Sequence, residues 1–83
     1  MTPAMRTKLV HVICQWQAKE RNPYAAGIAL QALDRAEAQM AEGDSLARAL
    51  YDTFNGRLLT KLEKAAGLTV TYGGGGHDIG RPA

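Results

Sequence analysis

Met5, Leu9, Val12, Ile13 and Trp16 recur at helical spacings. Set about 100° apart per residue, they fall in one narrow arc, with Val10 and Cys14 widening it on one side. Lys8, His11, Gln15 and Lys19 occupy the opposite face. The pattern predicts an amphipathic helix that begins at Thr2-Pro3, where a capping hydroxyl precedes a residue needing no amide donor, and stops near Arg21 before Pro23.

A second, longer helix is predicted within Asn22–Ser45, NPYAAGIALQALDRAEAQMAEGDS. Asn22 and Pro23 mark its start, and Gly43 followed by Asp44 and Ser45 marks its end and the next cap. Ala25, Ala26, Ile28, Ala29, Leu30, Ala32, Leu33, Ala36 and Met40 fill an arc wider than one partner helix requires, so this helix is expected to be flanked on two sides. Its alanine centre line lets neighbouring backbones approach. The short turn before it favours antiparallel packing on the first helix.

Leu46, Leu50, Phe54, Leu58 and Leu62 then repeat every four residues. Such a ladder drifts by roughly 40° per step around a straight helix, which one flat interface cannot use. Asn55-Gly56 favours a turn or helix end, so a kink or break is expected there. Read as two halves, residues 45 to 54 are expected to bury Leu46, Ala47, Leu50, Tyr51 and Phe54, leaving Ala49 outward. Residues 57 to 66 are expected to bury Leu58, Leu59, Leu62, Ala65 and Ala66, with Gly67 as the stop. Leu68–Tyr72 is the one β-like run and, lacking a partner strand, reads as an extended arm. GGGGHDIGRPA reads as a glycine-rich tail.

The expected architecture is therefore all-α: a small three-helix bundle, the third helix kinked or split near Asn55-Gly56, with a glycine-rich C-terminal arm. Residues 1–72 form the single domain and 73–83 the tail. Eighty-three residues, 46% apolar and 22% charged, suit one small globular unit. The single cysteine, Cys14, excludes an intramolecular disulfide and points to a reducing compartment. No apolar run has the length of a membrane span, and the first residues lack a sustained apolar stretch. The expected location is the cytoplasm, with no membrane partner.

Candidate chemistry is sparse. His77 and Asp78 are adjacent, which is a poor arrangement for sharing a metal, and His11 and Cys14 point different ways. The four glycines before His77 can gather amides around an anion, but no helix with a Gly-Lys-Ser or Gly-Lys-Thr follows them. Ser45 is explained as a helix cap, and Asp34 with Glu37 as solvated carboxylates, so neither a catalytic group nor a cofactor is expected. AQMAEGDSLARALYDTF invites comparison with a helix-turn-helix, Arg48 projecting early from its second helix, but the proportions are wrong.

Surface contact is the better reading. Arg57, Lys61 and Lys64 share one helical side, Tyr24 faces the polar side at a helix start, and His77 and Arg81 lie in the tail. Trp16 and Tyr51 sit at core positions rather than as stacking platforms. These residues predict a non-enzymatic module that binds a protein or nucleoprotein assembly. Direct DNA or RNA binding is the alternative, since a net charge of +2 does not itself imply nucleic acid. A homodimer would give the alanine-rich helix and the LTVTY run further cover.

Overall fold

The computed structural model describes residues 1–70, which form four helices and, among those residues, no strand: α1 (Pro3–Glu20), α2 (Ala25–Ala41), α3 (Leu46–Thr53) and α4 (Gly56–Ala65). The helical bundle is as expected, but the count is four rather than three, because the expected third helix is cut through at Asn55. Phe54 (φ −126°, ψ 164°) and Asn55 (φ −150°, ψ 173°) are extended. Gly56 follows at φ 63°, in the left-handed region that only glycine enters without penalty. The break solves the four-residue ladder, since each half now turns its own stripe inward. The tail at 73–83 lies outside the described residues.

Local chemistry sets the helix ends. Thr2 Oγ1 accepts the Met5 amide at 3.1 Å, and Ser45 Oγ accepts the Arg48 amide at 3.1 Å, each satisfying an orphan donor of the first turn. Asn22 caps a turn rather than the helix. Its side chain accepts the Tyr24 amide and its carbonyl the Ala25 amide, so α2 starts at Ala25, two residues later than Pro23 suggests. At the other end of α2, the Gly43 amide donates to the Met40 carbonyl and the Asp44 amide to the Gln39 carbonyl. The Gly67 amide donates to Lys64 and the Leu68 amide to Glu63 in the same way at the end of α4. Both are Schellman closures, with the glycine in a left-handed conformation. α1 ends in the related single-bond form, the Arg21 amide donating to the Gln17 carbonyl, but with Arg21 itself at φ 56°.

Schellman closure also explains the β-like run. Leu68 is the half-buried residue that lies against the core just past the helix end, a role that needs no strand, while Thr69 beyond it is exposed. Thr71 and Tyr72 lie outside the described residues.

The helices close into a ring: α1 packs on α2, α2 on α3, α3 on α4, and α4 back on α1. Arg6 near the start of α1 reaches Asp34 and Glu37 in the second half of α2, while Gln17 Nε2 donates to the Asn22 carbonyl in the link, which makes the pair antiparallel as expected. α2 is flanked on two sides, but so is every other helix. The core is formed by Leu9 and Ile13 of α1, Ala29, Ala32, Leu33 and Ala36 of α2, Ala49 and Leu50 of α3, Phe54, and Leu58, Leu59 and Leu62 of α4.

Five side chains depart from the expected pattern. Ile28 is 63% exposed, because the buried arc of α2 stops near Ala25 and Ala32 and leaves Ile28 outside it. Ala47 and Tyr51 are exposed while Ala49 is fully buried. Phe54 is the cause: its extended backbone takes its side chain off the helical period, so counting it in the stripe rotates the expected face of α3. Cys14, expected to flank the apolar stripe of α1, is exposed. The helix's buried line is narrow, Leu9 and Ile13 alone being fully covered.

Candidate functional site

α4 carries Arg57, Lys61 and Lys64 at spacings of four and three, which places all three on one exposed side of the helix. Opposite them, across the α1–α4 contact, stand Gln15 and Lys19 of α1. A groove of about 530 Å³ runs between the two helices, with Val12, Trp16 and Ala18 along its apolar floor and Lys19, Lys61 and Lys64 at its edge. A second groove of about 570 Å³ continues from the same Trp16. Ala29, Ala32, Phe54 and Leu58 line its base, and Ile28, Arg35, Arg57 and Glu20 stand around it. Trp16, expected in the core, is half-buried and belongs to both grooves.

The placement of acids and bases sharpens this side. Arg6 is held by Asp34 at 3.2 Å and by Glu37, on the α1–α2 face. Asp34 and Glu37 are thus not simply solvated but clamp the first two helices together. Arg48 donates to Asp52 at 3.0 Å, and Gln39 donates to the same carboxylate at 2.7 Å, tying α3 to α2. Arg48 is therefore paired along its own helix, with its side chain still mostly exposed. Glu63 is buried at 1% exposure on α4. Among the described residues, Lys19, Arg35, Arg57, Lys61 and Lys64 take part in no salt bridge, and Glu20 is the one acidic residue lining the grooves. The engaged carboxylates, Asp34, Glu37 and Asp52, line neither groove, and the groove linings carry more cations than acids.

Of the residues singled out in the sequence, Arg57, Lys61 and Lys64 are brought together. Tyr24 is 75% exposed and lines neither groove, standing one turn before Ile28, which does. His77 and Arg81 lie outside the described residues. The sequence reading missed Lys19, Arg35, Trp16 and Ile28. Lys19 reads as an ordinary solvated position until α4 is known to lie beside α1, and that long-range pairing has no signature in helical periodicity.

Among the described residues, no three His, Cys, Asp or Glu side chains gather as a metal would require, and no helix is long and apolar enough to cross a membrane. No buried side-chain polar atom among them lacks a hydrogen-bond partner. The grooves bring cations to the border of an apolar floor. No protein-family model, curated protein or solved structure matches the chain.

Proposed function

We propose that this chain is a non-enzymatic interaction module that docks on a protein or nucleoprotein assembly through the grooved side of α1 and α4. The observation that carries the reading is the segregation of charge. Arg6 and Arg48 are consumed by carboxylates on other faces, whereas Lys19, Arg57, Lys61 and Lys64 stand beside an apolar floor without such partners among the described residues. An apolar centre with a polar rim is the ordinary anatomy of an interface, and charges on that rim favour a partner of opposite sign. His77 and Arg81 are further contact candidates in the tail.

The test is quantitative capture from cell lysate with the wild-type chain and with Lys61→Glu/Lys64→Glu. Both positions are exposed, so the thermal melt should be unchanged within a few degrees while recovery of the captured partners falls. Equal recovery by the two proteins would refute the use of this side. Deletion of residues 73–83 asks separately whether the tail contributes.

Direct DNA or RNA binding is a second reading, favoured by the row Arg57, Lys61, Lys64, which rises about 10 Å along α4. It predicts gel retardation that weakens steeply between low and moderate salt, with a shallower slope in Arg57→Ala/Lys61→Ala. Absence of retardation at low salt removes it.

A further inference from the structure

The two grooves meet at Trp16, and their joint chemistry is more specific than a basic patch. A phosphate backbone engages cations but makes little use of an apolar floor. Here Trp16 lines both grooves, with Val12 beside it in one and Phe54 and Leu58 in the other, and Ile28, 63% exposed, borders the second. Arg57, Lys61 and Lys64 stand one helical turn apart along one edge, with Lys19 across from the last two. A ligand that satisfies both features presents an apolar ridge flanked by carboxylates at the same one-turn interval. That is the surface of an acidic amphipathic helix.

We infer that the occupant of the joined grooves is an acidic amphipathic helical segment of another protein, an apolar side chain covering Trp16 and carboxylates at i, i+3 or i+4 facing Lys64, Lys61 and Arg57. The inference rests on the interaction-module reading and names its partner class. A second copy of this chain fits less well. Asp34, Glu37 and Asp52 are already engaged within the bundle, and Glu63 is buried. Among the described residues that leaves Glu20, Glu42 and Asp44 to meet the cations of a twin.

The molecule carries its own reporter, since Trp16 is the single tryptophan of the chain. The full chain is titrated with a tryptophan-free 18-residue peptide of helical acidic amphipathic design, leucines on one stripe and glutamates flanking it. The same composition in scrambled order, and a 20-nucleotide single strand, serve as separate arms. Trp16 emission should shift to the blue and saturate with the amphipathic peptide alone. Binding should weaken about tenfold in Lys61→Glu/Lys64→Glu, the loss expected from reversing two exposed charges. Ile28→Ser, at an exposed position, should weaken it as well while leaving the thermal melt in place.

Equal binding of ordered and scrambled peptides would overturn the inference, because charge alone would then suffice. Saturable binding of the oligonucleotide without the peptide would overturn the partner class yet keep the cationic side as the site. A blue shift on raising protein concentration alone, with dimer in sedimentation, would place a second copy in the grooves instead. No response in any arm, together with unchanged lysate capture by the charge-reversed protein, would remove the grooved side from function altogether.

Discussion

Replacing Gly56 by alanine has opposite consequences in a straight helix and in the broken one observed. In a continuous helix running from residue 46 to residue 65, alanine is favoured over glycine by about 1 kcal/mol. At φ 63°, a Cβ instead incurs about 1–2 kcal/mol of left-handed strain, offset in part by the smaller entropy of an unfolded alanine chain. An ideal Cβ at Gly56 meets nothing within 4 Å, so no clash with a neighbour confuses the sign. The net expectation is a loss of about 1 kcal/mol, or a melting temperature lower by about 4–8 °C for a domain of this size. Gly27 supplies an internal control. It lies within α2 with open space around its Cβ position and no positive φ, so Gly27→Ala should raise stability by about 1 kcal/mol. Urea unfolding followed by far-UV circular dichroism measures both. Stabilisation by Gly56→Ala, in parallel with Gly27→Ala, would refute the break and restore an uninterrupted helix.

The remaining expectations follow from single contacts. Arg21 holds at the end of α1 the left-handed position that Gly43 and Gly67 hold at the ends of α2 and α4, so Arg21→Gly should gain about 0.5–1 kcal/mol in urea unfolding, and a loss would contradict that backbone. Ser45→Ala removes the amide acceptor that starts α3 and should cost about 1 kcal/mol, with a helix-selective rise in hydrogen exchange at residues 46–49. Leu59 is fully buried on α4, and Leu59→Ala should cost about 2–5 kcal/mol, a value below 1 arguing against tight packing there. Arg6→Ala leaves Asp34 and Glu37 facing each other one turn apart. Given that the arginine side chain is 37% exposed, the expected cost is at most about 1 kcal/mol, shrinking as salt is raised to molar levels.

Much of this architecture is legible in the residues because it is set locally. Thr2-Pro3, Ser45 and the glycines at 43 and 67 act through hydrogen bonds spanning a few residues, and the structure places helix ends at or beside each of them. Asn55-Gly56 is equally local, and the drift of the leucine ladder makes its break almost compulsory. What could not be read depends on neighbours distant in sequence. Whether Ile28 is covered depends on where α1 and α3 lie against α2, and periodicity fixes an arc without saying where the cover ends. Counting Phe54 rotates the expected face of α3, because its spacing suits a helix while its backbone has already left it. The candidate site was half visible: Arg57, Lys61 and Lys64 are neighbours by period alone, whereas Lys19, Arg35 and Trp16 join them only through tertiary pairing.

The closed ring of helices has a consequence for biosynthesis. α1 is synthesised before α2, α3 and α4, yet one of its two flanks is reserved for α4, the last helix among the described residues. A chain halted before Gly56 would hold Leu9 and Ile13 with only α2 beside them, so an early hairpin has to wait, partly uncovered, through the 24 residues from the end of α2 at Ala41 to the end of α4 at Ala65, made at about 5–20 residues per second. Arrested chains of increasing length should therefore gain protease resistance in one late step, after α4 has cleared the exit tunnel, rather than helix by helix.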